Sequence, residues 1–355
     1  MTDITLALPY ALPPPEMAPD LLRALDTPAL AMLLSRHSTL QATTASPAAR
    51  VLPHEAWLAQ ALGLAPAAGM SGTAAAPLAA AAMHGCGLQP ETGHWFFLQP
   101  VHVQLSRTHL LLADPRSLHL SDDDGRALFE LARPYFEEAG KTLRYGGPDL
   151  WFVRAGDWAE LDTASPDAAV AQNLSDWVPL GAAARDFRKL QNEIQMLWHE
   201  HPLNQAREAR GLKPVNSFWL WGGGPACADD YAATPAARLL AVEDGPSWLQ
   251  ALAAPEQRAP NAAQLIDSQA AHATVVLPGL IPSAVAGDWS DWLARLQRIE
   301  QEWCAPLLAA LQSGRVGQVT LLLNHRHATV ASSTGKLALR QFWRKPTLNA
   351  LLKQA

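Results

Sequence analysis

Residues 4–12, ITLALPYAL, form a nearly continuous apolar run closed by three prolines. An unbroken run of this length predicts a strand buried on both faces at the centre of a sheet. DLLRALDTPALAMLLSRHS then reads as helical, with Thr27 and Pro28 placed as N-cap and first helical residue. LPHEAWLAQALG predicts a second helix that stops at Gly63. Residues 65–87 are low in complexity and predict a loop followed by a short Ala-rich helix.

The pattern then changes period. HWFFLQPVHVQLSRTHLLLAD alternates as strands do. SDDDGRALFELARPYFEEAG opens with Ser121 and three aspartates and closes at Gly140, which predicts a helix whose first turn favours Asp122, Asp123 and Asp124 through its dipole. TLRYGGPDLWFVRAG predicts a hairpin around Gly146–Pro148. From Asp186 the helical period returns, with Phe187, Leu190, Ile194, Leu197 and Trp198 on one face. VNSFWLW, ATVVLPGLI and VTLLLN read as short apolar strands, and GDWSDWLARLQRIEQEWCAPLLAALQSG as one long helix with Trp289, Trp292, Leu296, Ile299 and Trp303 inward. Strands alternating with amphipathic helices predict an α/β fold, a mostly parallel, doubly wound sheet, carrying an inserted smaller α+β domain. The boundaries read from the pattern are 1–90 and 184–355 for the core and 91–183 for the insertion.

Composition narrows the class. With 355 residues, 49% hydrophobic and 17% charged, the chain is ordered and large enough for two cores. A net charge of −6 argues against nucleic-acid and anionic-membrane binding, which need a basic footprint. Cys86, Cys227 and Cys304 are far apart and form no CxxC pair, which fits a reducing cytoplasm. MTDITLALPYALPPP lacks the basic start of a secretory signal, and AAAPLAAAAM at 74–83 is too short to span a bilayer. A cytoplasmic protein is expected.

Candidate chemistry concentrates in HPLNQAREARGLKPVNSFWLWGGG, residues 201–224. GGGPACADD lacks the G-K-[ST] ending of a phosphate-binding loop, and Cys227 stands where a dinucleotide fingerprint needs its third glycine. Asn204, Arg207 and Arg210 recur at a spacing of three, so they lie along one side of a short helix that Pro202 opens and Gly211 closes. Two guanidiniums and an amide there could clamp an anion, or they could form an ordinary solvated face. Asn216 and the glycines Gly222, Gly223 and Gly224 follow at the end of an apolar strand. They fit a ligand-binding carboxyl edge of a sheet, or simply a tight strand-to-helix turn.

This stretch resembles the HP-x-N-x-x-R-x-x-x-G-x-x-P-x-N segment of archaeal-type, cofactor-independent phosphoglycerate mutases, members of the alkaline phosphatase superfamily. NSFWLWGGG and QFWRKPTLNALL resemble the RpfE-type regulatory proteins related to them. DTPALAMLLSRHS and VTLLLNHRHA resemble other segments of the superfamily, in the same order. The resemblance implies an alkaline-phosphatase-like core and a pair of divalent metals, manganese or zinc, held by Asp and His around a Ser or Thr nucleophile. Paired cations neutralise phosphate and activate the hydroxyl, and several carboxylates are needed to hold them.

This chain departs from that pattern. Pro9 and Tyr10 stand where the first strand should end in an acidic turn, and Asn324-His325 replaces an Asp-His pair. Asp288 and Asp291 alone remain in PSAVAGDWSDW. His325 and His327 would share a face if their strand continued, and with Asp288 they are the remaining candidates for a single zinc. The expectation is a regulatory or ligand-binding protein without metal cofactor, the alternative an active mutase or phosphatase using manganese or zinc. Its expected partner is a phosphorylated small molecule or a regulatory protein. Most tryptophans are expected in cores, with Trp95, Trp151 and Trp343 near turns as possible interface anchors.

Overall fold

The computed structural model describes residues 2–64, 76–226, 238–241, 245–253, 261–267 and 271–352. Cys227 and residues 65–75 of the low-complexity stretch lie outside them. Two compact units emerge: residues 1–49, 235–245 and 253–355 form the first, residues 50–234 and 246–252 the second. The second unit is thus wider than the 91–183 segment expected, taking in residues 50–90 and 184–234 as well.

The strands are β1 (Thr2–Leu8), β2 (Thr39–Thr44), β3 (Gly93–Val101), β4 (Val103–Leu105), β5 (Leu110–Leu112), β6 (Thr142–Gly147), β7 (Leu150–Arg154), β8 (Ser217–Ala226), β9 (Arg238–Ala241), β10 (His272–Val276), β11 (Val316–Asn324) and β12 (Ala328–Gly335). In the first unit they form a mixed sheet in the order β2-β12-β11-β1-β10-β9. β1 lies parallel between β11 and β10, with Leu6 level with Leu321 and Val275. β9 is parallel to β10, whereas β12 and β2 are antiparallel additions at one edge. The apolar run of β1 therefore does sit inside a mostly parallel sheet.

The long helix of the first unit is interrupted. Asp288 caps it, its Oδ1 accepting from the Asp291 N–H at 3.0 Å, and regular turns run from Trp289 to Ile299. Glu300–Cys304 is a π turn in which the Ala305 N–H reaches back to the Glu300 carbonyl, after which Ala305–Ser313 is α-helical again. Pro306 has no N–H to give to the preceding turn, and a local widening of the helix accommodates it.

In the second unit an antiparallel sheet runs β6-β7-β3-β8, beside the small β4-β5 ribbon. The helices Asp122–Glu138 and Ala184–His199 bury Phe129, Phe136, Phe187, Ile194 and Trp198 against Phe96, Trp151, Val153 and Phe218 of this sheet. Such edge-to-face clusters of large rings bury much apolar area per residue. β8 contains SFWLW of the VNSFWLW segment, which therefore belongs here and not to the parallel sheet. Trp95 and Trp151, expected near turns, are fully buried. Among the described residues, no helix is long and apolar enough to cross a membrane.

Candidate functional site

The stretch from His201 to Gly224 closes the second unit. His201 is the N-cap of the Pro202–Ala209 helix, its Nδ1 accepting from the Leu203 N–H at 3.2 Å. Asn204 is buried and ties three segments together: its Nδ2 donates to the Trp198 and Val215 carbonyls at 2.8 Å, and its Oδ1 accepts from the Val215 N–H. Arg207 is completely buried, 0% exposed. Its Nε donates to the Lys213 carbonyl at 3.0 Å, Nη1 to the Asp124 carboxylate at 2.9 Å, and Nη2 to the Leu118 carbonyl. Arg210 instead keeps 57% of its side chain exposed and reaches Asp124 at 3.4 Å. The three residues do share a side of the helix, but two face protein, not solvent.

Asp124 thus has a double role. It sits in the first turn of the Asp122–Glu138 helix, where Ser121 caps its N–H at 3.2 Å, and it is the counter-ion of Arg207. Asn216 likewise clasps backbone, giving Nδ2 to the Val103 carbonyl and accepting from the Val103 N–H, both at 2.8 Å.

The glycines are not a strand-to-helix turn. They lie within β8, where Trp221 pairs with Phe97 and Gly224 with Trp95, so Gly222 and Gly223 face the single residue Phe96 in a bulge. Gly222 takes φ +66°, and a Cβ there would stand 2.5 Å from the Phe97 ring. At Gly223 it would stand 2.3 Å from the Phe96 ring, and at Gly224 2.3 Å from Pro77. Close packing against Phe97, Phe96 and Pro77 accounts for the three in turn.

The ends of the parallel strands in the first unit are the place where an α/β sheet binds ligands. Here β1 passes into Pro9 and Tyr10. Tyr10 is buried at φ +60°, and its carbonyl accepts the Trp292 indole N–H at 2.9 Å. β11 ends in the fully buried Asn324, whose Nδ2 donates to the His325 carbonyl at 3.0 Å. The strand does not continue through the histidines as expected. The chain turns, with the His325 N–H donating to the Ala328 carbonyl at 3.0 Å, and returns as β12. His325 and His327 therefore meet in a hairpin turn, ring centroids 6.4 Å apart, the His327 N–H donating to His325 Nδ1 at 3.2 Å. Burial lowers the pKa of both, aided at His325 by His327 and at His327 by Arg326.

A carboxylate does stand in this unit, but it faces a helix. Glu300, buried in the π turn, accepts the Ala29 N–H at 2.6 Å and the Leu30 N–H at 2.9 Å at the start of the Pro28–Ser35 helix. Asp288 is exposed and engaged as the helix cap already described. No group of three or more His, Cys, Asp or Glu placed to hold a metal occurs among the described residues. Among the described residues, the donor set at these strand ends, the Asn324 amide and the His325 and His327 imidazoles, does not fit a pair of divalent cations, which need several carboxylate oxygens.

Sequence reasoning missed a second buried polar group, in the second unit. His54, Glu55 and Asp167 are all buried. Glu55 accepts the Leu52 N–H at 3.0 Å as half of a capping box, and Asp167 pairs with Arg116 at 2.7 Å. Burial lowers the His54 pKa to about 4, against a smaller upward pull from Asp167. The same carboxylate, with Asp114, holds Arg116 above its usual range in spite of burial. The signal was faint: a Pro-x-Glu start to a helix without the Ser or Thr that makes a capping box legible.

No family model matches the chain. It is 39% identical over 61 residues to a 2,3-bisphosphoglycerate-independent phosphoglycerate mutase of Methanothrix thermoacetophila, covering 17% of this chain and 16% of that one. It is 28% identical over 133 residues to a probable enzyme of the same name from Geobacter sulfurreducens, covering 37% and 33%. The likeness is to phosphoglycerate mutases. The matched stretches span between about a sixth and a third of those relatives. Among solved structures, the PH0037 protein of Pyrococcus horikoshii aligns at a TM-score of 0.55 and 11% identity over 99% of this chain and 92% of that one, a shared fold. A cofactor-independent phosphoglycerate mutase of Thermoplasma acidophilum aligns over 99% and 95% at a TM-score of 0.46 and 14% identity.

Proposed function

We propose that this phosphoglycerate-mutase-like chain is a cytoplasmic regulatory or ligand-binding protein of the RpfE type, with an alkaline-phosphatase-like, doubly wound core. In this reading its two-metal phosphoryl-transfer site has degenerated. The observation that carries it is the filling of the ends of β1 and β11 by Pro9, Tyr10 and Asn324, neutral groups packed and hydrogen-bonded where a phosphoryl-transfer centre needs oxygen anions. Glu300, buried beside the Pro28–Ser35 helix, has both carboxylate oxygens committed to amides and so is not poised to hold a cation.

Asn204, Arg207, Asn216 and Gly222–Gly224 are in this reading the architectural part of the mutase-like scaffold, and only Arg210 retains the exposure an anion contact requires. The ligand remains a phosphorylated small molecule or a regulatory protein, and neither nucleic acid nor membrane. Metal analysis of the purified protein, with a coupled assay on 3-phosphoglycerate, tests the proposal. The expected result is no stoichiometric manganese or zinc and no turnover. Stoichiometric metal together with turnover that His325→Ala abolishes would return the chain to the active mutases.

A further inference from the structure

The carboxyl-terminal part of the chain is charged against the trend of the whole. Residues 303–355 contain seven Lys and Arg and no Asp or Glu, in a protein of net charge −6. Within this stretch three large apolar side chains stand in solvent: Leu337 is 74% exposed, Phe342 79% and Trp343 67%. The two rings meet edge to face, centroids 5.3 Å apart at 79°. Lys336, Arg340 and Lys345 are exposed beside them in sequence, and among the described residues none is paired with a carboxylate.

The segment carrying these side chains is fixed to the body of the first unit. Arg36 donates through Nη1 to the Leu339 carbonyl at 2.8 Å and through Nε to the Arg344 carbonyl at 3.4 Å. Arg344 Nη1 returns to the His37 carbonyl at 3.1 Å. Ser35 Oγ accepts the Thr347 N–H at 2.9 Å and donates to the Thr347 carbonyl at 3.0 Å. The end of the Pro28–Ser35 helix thus clamps the chain on both sides of Phe342 and Trp343. Rigid aromatic side chains held in solvent lose little further freedom on binding and offer large apolar area to a pocket.

We propose that the exposed Phe342–Trp343 pair, with Leu337 and the cations Lys336, Arg340 and Lys345 close to it in sequence, docks a carboxylate-rich segment of a protein partner. Charge complementarity selects the acidic occupant: four cations lie within residues 336–345 with no anion among them. A bilayer is the poorer match, because insertion does not require a clamped backbone and the rest of the chain is acidic. Single-stranded nucleic acid is poorer too, since the edge-to-face pair does not present two open ring faces for stacking. The inference stands independently of the mutase-like reading, and metal content or turnover does not bear on it.

The test uses the full chain against an array of peptides that combine Glu or Asp with aromatic or aliphatic residues at short spacings. Matched peptides with Gln in place of each acid form the control array, and hits are followed by fluorescence anisotropy. Acidic-apolar peptides should bind, more weakly as salt rises, and the double variant F342A/W343A should lose about tenfold or more in affinity. Both side chains are exposed, so that variant should melt like the parent; K336E/K345E provides a second, charge-only readout. Equal binding to the Gln array, or affinity unchanged in F342A/W343A, overturns the proposal. So does tighter binding to phosphatidylserine-containing vesicles or to oligothymidylate than to any acidic peptide.

Discussion

Arg207 and Arg210 are one helical turn apart and physically unlike. The first has its Nε, Nη1 and Nη2 groups met by two carbonyls and a carboxylate and no exposure, the second is mostly in water. Removing a buried guanidinium that donates from each of its three nitrogens leaves its acceptors stranded, so Arg207→Ala should cost about 3 kcal/mol, and Arg210→Ala less than about 1 kcal/mol. Urea midpoints of the two variants check this; equal small losses would mean that Arg207 is not the tie it is argued to be. The sequence announced that Asn204, Arg207 and Arg210 share a side. It could not announce which side is buried, because the acceptors at Asp124 and Leu118 lie 83 and 89 residues away.

At the scale of elements, the π turn turns a glutamate inward to cap another helix. Glu300 supplies two acceptors to the first free amides of the Pro28–Ser35 helix, a place where Thr27 makes no side-chain capping bond of its own. Glu300→Ala should therefore lower stability by roughly 1–2 kcal/mol and speed hydrogen exchange at Ala29 and Leu30, with Glu300→Gln retaining part of the protection. Protection unchanged in Glu300→Ala would dismiss the cap. The individual elements were mostly legible, since β1, β10, β11, the Ser121-capped helix and the hairpin of β6 and β7 announce themselves by period and punctuation. β12, ATVASSTG, was not, because its inward positions are small and polar as often as apolar. Nor was the sheet to which β8 belongs: its pairing with β3 is non-local, and a bulge at Gly222 and Gly223 looks in one dimension like a terminal turn.

For the molecule as a whole, α/β class and a mostly parallel sheet followed from the apolar pattern, while the division into units did not. Residues 50–90 and 184–234 join the second unit through contacts such as those of Asn204, Trp219 and the buried group around His54, which no local period encodes. That group also sets a pH dependence. Folded, the His54 imidazole stays neutral down to about pH 4; unfolded, it takes up its proton near 6.5. Between those values the unfolded chain binds more protons, so stability is complete above the upper value and falls as pH drops through the window, by on the order of 3 kcal/mol. Urea unfolding across this range should show the slope in the wild type and a flatter one in His54→Asn; equal slopes would exclude His54 as its source.

The placement of β1 between β10 and β11 has a consequence for the order of assembly. Its two neighbours begin at residues 272 and 316, after nearly all of the second unit. During synthesis the amino-terminal strand must wait, with both backbone edges unsatisfied, while an almost contiguous unit is completed behind it. A chain released before Leu323 lacks part of the β11 edge that encloses that strand. The apolar stretch enclosed within the sheet of the finished protein is, in the nascent one, an unpaired strand open to association with other chains.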